Sequence, residues 1–175
     1  MFLTRFFFIK FYNLGSGWIY YNKSWITLNR YLYYNKQTIA LFLLDKSINY
    51  FRKTFIILQN ILSKFGSILF FSPMGYYFKN LEQQGFILRE FFSNNITKGF
   101  FSNNLIDTKL LPDIVIIFDA SEYYSILKEL YLLSIPVIAT VEKRITTIYI
   151  EYPILLNSFS YYVYFFILNL YSKLI

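Results

Sequence analysis

From Ile39 onward the chain switches repeatedly between short unbroken apolar runs and longer stretches in which apolar residues recur every three or four positions. A short unbroken run suits a strand buried on both faces, whereas the wider spacing lays one apolar stripe along a helix. Ile39–Leu44 is the first such run. Asp45 follows as a candidate N-cap, and Ile48, Phe51, Phe55, Leu58 and Leu62 mark a helical face as far as Lys64, with Gly66 as the stop. Ser67–Phe71 predicts a second strand. Ser72-Pro73-Met74-Gly75 then turns the chain into a short helix ending near Gly85, and Phe86–Phe91 predicts a third strand. Asn, Ser, Thr and Gly dominate residues 93–104, which predicts a loop.

The clearest strand comes next. Pro112-Asp113 leads into Ile114–Phe118, closed by Asp119, and Ser121 is placed to cap a helix with Tyr124, Leu127, Leu130 and Tyr131 on one face. Ser134-Ile135-Pro136 opens a further strand, Val137–Val141, and residues 158–173 have the length of a closing helix. Strands alternating with helices at this spacing imply right-handed crossovers. The expected fold is therefore α/β: a doubly wound, flavodoxin-like or Rossmann-like parallel sheet of about five strands with helices on both faces.

Doubly wound enzymes that bind dinucleotides need glycines after the first strand, where backbone N–H groups meet pyrophosphate. Here that turn reads Leu44-Asp45-Lys46-Ser47, and the second reads Ser72-Pro73-Met74-Gly75, whose proline removes a donor. Neither suits a phosphate. Asp113 and Asp119 bracket a strand and could pass for paired catalytic acids. The simpler reading is that one begins the strand while the other ends it and caps the next helix. The chain also has no His and no Cys, which removes the commonest general base, thiolate nucleophiles and sulfur-ligated metals. No enzyme activity, no cofactor, no metal and no small-molecule substrate is expected.

A membrane protein is the rival for a chain in which 56% of residues are hydrophobic. A spanning helix needs about 20 predominantly apolar residues. Only Tyr152–Ser172 lacks charge for so long, and it contains Pro153, Asn157, Ser158, Ser160, Asn169 and five Tyr. Membrane insertion is not expected, and an anchor at 152–172 stands as the alternative. The beginning of the chain resembles neither a secretory signal nor an import peptide.

Composition changes the picture in two ways. The chain holds 21 Phe and 18 Tyr but only three Ala among its 175 residues. Phe, Tyr, Ile, Asn and Lys are the residues of AT-rich codons, which points to an organelle genome, most plausibly a mitochondrial one. Net charge is +7 and unevenly spread. Residues 1–53 carry eight cations against Asp45 alone, whereas residues 101–175 carry five cations against seven acids. A basic segment interleaved with aromatics suits a polyanion better than a merely solvated face.

Several segments, in fixed order, resemble the small-subunit ribosomal protein S two family. Pro112-Asp-Ile-Val-Ile-Ile-Phe-Asp119 and Ile135-Pro-Val-Ile-Ala-Thr-Val141 are similar to its Pro-Asp strand and its Ile-Pro-Val-Ile-Ala strand. Upstream, Leu44-Asp45-Lys46-Ser47 and Ser67–Phe71 resemble its first helix start and second strand. Lys98-Gly99-Phe-Phe-Ser102-Asn103 resembles its Gly-Gly-Thr-Leu-Thr-Asn segment, and Tyr152-Pro153-Ile154 with Asn157 its Tyr-Pro-Ile-Pro-Gly-Asn segment. The likeness covers residues 30–175. Departures are also clear: Ser72-Pro73-Met74 replaces Gly-Thr-Lys, Asn95-Ile96 replaces Arg-Trp, and Glu142-Lys143-Arg144 replaces Asp-Thr-Asn. The family's long helical hairpin is missing or heavily cut.

The resemblance implies a non-enzymatic constituent of the small ribosomal subunit, here of a mitochondrial ribosome. It would sit between head and body and bind ribosomal RNA and neighbouring small-subunit proteins. Residues 1–30 are expected to be an extension contacting RNA or neighbours, and residues 31–175 a single α/β domain. Candidate RNA contacts are Lys10, Lys23, Arg30, Lys36, Lys46, Arg52 and Lys53 in the basic third, with Lys98, Gly99, Ser102 and Asn103 in the later loop. Cations would neutralise phosphates, polar loop residues would fix register, and exposed Tyr and Phe would stack on unpaired bases.

Overall fold

The computed structural model describes residues 18–20, 32–36, 39–42, 44–71, 88–90, 99–103, 111–121, 123–141 and 147–156. Strands Trp18–Tyr20 (β1), Leu32–Lys36 (β2) and Ile39–Phe42 (β3) come first, followed by helix Leu44–Ser63 (α1). Ile68–Phe71 (β4), Leu88–Glu90 (β5) and a one-turn helix, Phe100–Asn103 (α2), follow. Ile114–Ile117 (β6), helix Tyr124–Leu132 (α3), Val137–Val141 (β7), a 3-10 turn at Thr147–Tyr149 and Tyr152–Leu155 (β8) complete the order.

β4 to β8 form one five-stranded sheet in the order β5-β4-β6-β7-β8, and every neighbouring pair is parallel. Counted from β4, that is the 2-1-3-4-5 winding of flavodoxin-like folds. Every residue of β4, β6 and β7 is buried, as expected of strands covered on both sides. The pleat divides them. Leu69, Phe71, Val115, Ile117, Val137, Ala139, Val141 and Leu155 join one core with Ile126, Leu127 and Leu130 of α3. Ile68, Phe70, Ile114, Ile116, Ile138 and Ile154 turn to the other face, where α1 packs beside β8 and buries Ile48, Phe51 and Leu58.

The five strands are not quite those expected. Ile39–Phe42 belongs to a separate antiparallel sheet of order β1-β3-β2, paired through Trp18↔Leu41 and Lys36↔Ile39. The same pairing crosses the expected boundary at residue 30, because β1 hydrogen-bonds to β3. The fifth parallel strand is instead β8, so residues 152–155 of the supposed membrane anchor are an edge strand. Pro153 is tolerated there because an edge strand has one side without a ladder partner. Among the described residues no helix is long and apolar enough to cross a membrane. The expected turn and helix at 72–85 and the closing helix at 158–173 lie outside the described residues. The expected loop at 93–104 contains α2.

Helix ends also depart from expectation. α1 opens at Leu44, one residue before the expected cap. It closes in a Schellman motif, in which Phe65 N–H donates to Leu62 C=O at 3.0 Å and Gly66 N–H to Ile61 C=O at 2.9 Å. The left-handed residue is therefore Phe65 (φ 56°) and not Gly66. Gly66 is needed for closeness: a Cβ there would lie 2.5 Å from Ile61 Cγ2 and 3.1 Å from Asp113 Oδ2. α3 ends the same way, with Ser134 left-handed and Ile135 N–H donating to Leu130 C=O at 3.0 Å. Its N-cap is Tyr123, with no side-chain cap; Ser121 donates its N–H and its hydroxyl to Asp119 Oδ1 instead.

The two aspartates have structural employment. Asp113 Oδ2 accepts Ser67 N–H at 2.7 Å and Ser67 Oγ at 3.2 Å, tying the starts of β4 and β6 together. Asp119 (φ 61°) ends β6, where its N–H donates to Thr140 Oγ1 at 2.8 Å, and it does not cap α3. Replacing Asp113 with Ala leaves Ser67 N–H without its acceptor. The expected cost is about 1–3 kcal/mol, seen as a lower denaturant midpoint with an unchanged slope, and Asp113→Asn should recover much of it.

Candidate nucleic-acid interface

α1 buries one side and leaves the other to solvent. Ser47, Ile48, Phe51, Thr54 and Leu58 are buried, while Asn49, Arg52, Lys53, Ile56, Gln59, Asn60 and Ser63 are exposed, as is Lys64 just beyond the helix. At 100° per residue the exposed set from Asn49 to Ser63 falls within an arc of about 120° and runs roughly 21 Å along the axis. α1 itself contributes no acid to this side; its only acid is Asp45, in the first turn. Lys53 Nζ stands 5.9 Å from the Tyr50 ring centroid, a cation–π contact that holds the ammonium along the helix. Cations and amide groups on a rigid ridge can meet phosphate and sugar oxygens together.

Four carboxylates among the described residues accept hydrogen bonds from the backbone. Besides Asp113 and Asp119, Glu151 Oε2 accepts Val137 N–H at 2.7 Å, and the Glu129 carboxylate accepts Ser102 N–H. Asp113 and Glu151 do one job: each precedes a strand and satisfies an N–H at the start of the neighbouring strand. These four carboxylates are thereby held at sheet ends and helix junctions, each engaged by a backbone N–H group.

The second candidate segment lies on the other face of the sheet. Gly99 takes φ 89°, a conformation suited to glycine, and starts α2. Phe101 is buried against Phe71, ring centroids 6.1 Å apart, and Phe71 also meets Tyr123 at 5.7 Å. Ser102 is exposed, but its N–H is engaged by Glu129; Asn103 ends the helix. Arg52 and Lys53 thus come together on α1, with Lys46 in the same helix, whereas Gly99, Ser102 and Asn103 form a separate group. Lys36 lies on β2. Lys10, Lys23, Arg30 and Lys98 lie outside the described residues.

Phe101 also fills a position of note. In 2-1-3-4-5 folds ligands bind beyond the carboxyl ends of the two strands flanking the change of direction, here β4 and β6. Among the described residues, Phe71, Phe101, Phe118 and Tyr123 pack into that place, all buried.

Sequence reasoning missed Asn49, Gln59, Asn60 and Lys64. Their signal was the helical spacing itself, which sets them opposite the apolar stripe. It also missed a group of three tyrosines. Tyr149 lies 5.9 Å from Tyr124 and 5.3 Å from Tyr131, both half-exposed on α3. The Tyr149 phenol is held above its ordinary pKa of 10.0, first by the charge of a Tyr124 phenolate, then by burial, a side-chain hydrogen bond with Tyr124 and the charge of Tyr131.

A family model described as Ribosomal protein S2 matches residues 77–174, more than half of the chain and the stretch that contains β5 to β8. No curated protein matches significantly.

For Tyr149, a folded pKa above the unfolded one means that its stabilising contribution is complete below pH 10 and is lost as pH rises through the native value. Tyr149→Phe should lose stability less steeply than the natural chain above pH 10, read by thermal melts across an alkaline series.

Proposed function

This chain belongs to the ribosomal protein S2 family, and we propose that it serves the small ribosomal subunit by laying the outer side of α1 against ribosomal RNA. Family membership makes it a structural constituent of that subunit, surrounded by ribosomal RNA and ribosomal proteins. The observation that carries the RNA-facing reading is the exposed ridge of Asn49, Arg52, Lys53, Gln59, Asn60, Ser63 and Lys64, to which α1 itself contributes cations and amides and no acid. Its chemistry is electrostatic: each cation placed on a phosphate releases condensed counterions, and the amides and hydroxyl fix position without reading sequence.

The Gly99–Asn103 segment is a second contact in this reading, offering the exposed Ser102 hydroxyl from the opposite side of the sheet. Two contacts on opposite faces fit a domain lodged between two bodies of RNA and protein, head on one side and body on the other. A chain rich in Phe, Tyr, Ile, Asn and Lys supports synthesis from a mitochondrial genome and work in the mitochondrial ribosome. Residues 72–87, between β4 and β5, leave little room for the family's long helical hairpin, whose place neighbouring proteins would take.

The function is tested by sedimenting organelle lysate through a sucrose gradient. The chain should travel with small-subunit RNA and shift when subunits dissociate; its absence from those fractions would sink the reading. The surface is tested separately with full-length protein and a short RNA duplex. Neutralising Arg52, Lys53 and Lys64 to Gln should flatten the dependence of log K on log salt by about 2 to 3. An unchanged slope would remove α1 from the interface.

A further inference from the structure

Phe65 is 93% exposed, although it is among the least suitable residues for a left-handed position. Glycine is the usual occupant of such a helix-ending site, and Asn or Asp tolerates it because a short polar side chain can hydrogen-bond locally. For a residue with a Cβ the conformation is strained, because the Cβ crowds the following carbonyl oxygen. Among the described residues, the other non-glycine positions with positive φ are Asp119 and Ser134, both short and polar. At Phe65 the ring stands almost wholly in water, so burial within the domain does not offset the strain. Strain of this kind persists where the side chain has work outside the fold.

The backbone that carries the ring is also held in place. Phe65 N–H and Gly66 N–H are both bound by carbonyls of the last turn of α1, and Gly66 sits hard against Ile61 and Asp113. Asp113 in turn is tied to Ser67 at the start of β4. An aromatic ring thus projects from a stiff corner that follows directly on Asn60, Ser63 and Lys64. Along α1 its neighbours are cationic and polar, and the nearby Asp113 carboxylate is engaged by Ser67 N–H and Oγ; a nucleic acid suits such a corner, since its bases stack on any aromatic face whatever their sequence.

We propose that Phe65 is a stacking platform for an unpaired base of the RNA that runs along α1, with Lys64 on the adjoining phosphate. This rests on the reading of α1 as an RNA-facing helix and adds to it a preference for a looped-out or single-stranded nucleotide at the helix's C-terminal end.

Phe65→Gly separates the two consequences of the residue. Glycine relieves the left-handed strain, so the full-length variant should melt about 2–4 °C higher. Its affinity for a short fluorescein-labelled single-stranded RNA should nevertheless fall about 5- to 30-fold, while binding to the fully paired duplex of the same sequence stays unchanged. Phe65→Leu, which keeps the strain and loses the ring, should show the same loss of single-strand affinity without the gain in stability. Single-strand affinity within twofold of the natural chain for both variants would overturn the proposal. So would unchanged RNA binding together with poorer incorporation into the subunit, which would assign the ring to a protein pocket. The Arg52, Lys53 and Lys64 variant tells the layers apart: if it weakens binding and the Phe65 variants do not, stacking fails and the α1 interface stands.

Discussion

A parallel sheet has no face that it can leave to water, and this constraint orders the whole described structure. β4, β6 and β7 are buried along their entire length, so their side chains are apolar on both sides of the pleat. The one polar side chain in these strands is Thr140, whose Oγ1 accepts Asp119 N–H, while its carbonyl accepts Ala120 N–H at 3.1 Å. A helix must cover each face: α3 with α2 on one, α1 on the other. Among the described residues, Arg52, Lys53 and Ser102 are then exposed on the outer sides of helices, and Asp113, Asp119 and Glu151 lie at the ends of strands.

The same constraint gives several carboxylates their places. Strands that run parallel begin with N–H groups that the slanted ladder does not reach. Asp113 and Glu151 supply acceptors there, and Glu129 does so for α2. Carboxylates used in this way are engaged by the backbone, so even Asp113, close to the end of α1, is already bound to Ser67. The carboxyl ends of β4 and β6, which doubly wound enzymes keep open, are packed with aromatic rings instead, as suits a family whose members build a particle.

Much of this architecture could be read from the residues. Unbroken apolar runs marked β4, β6 and β7, because only burial on both faces asks for such runs. The three-to-four spacing marked the inner side of α1, where Ile48, Phe51 and Leu58 are buried and Phe55 and Leu62 partly so. Ile39–Phe42 misled because an apolar run is silent about its partners, and its partners are short antiparallel strands with no comparable run. β8 was overlooked because a proline argues against a strand unless the strand is known to be an edge. Charge pointed to Arg52 and Lys53, yet the separation of the two candidate segments onto opposite faces depends on which way the sheet winds. The strained Phe65 is invisible in sequence, where the following glycine draws attention to itself.

The Asp113–Ser67 clamp joins residues 46 positions apart, and β4 lies between β5 and β6 in the sheet. A chain emerging from a ribosome at about 5–20 residues per second therefore holds β4 for roughly 2–9 s before β6 can pair with it. Closing such a loop is entropically costly, and parallel pairing gives nothing back until both strands are present. During that interval the edge of Ile68-Leu69-Phe70-Phe71 that β6 will take stays unpaired, even once β5 has been made, and an apolar strand edge of this kind associates with other chains. The vulnerable moment in the life of this protein thus comes midway through its synthesis.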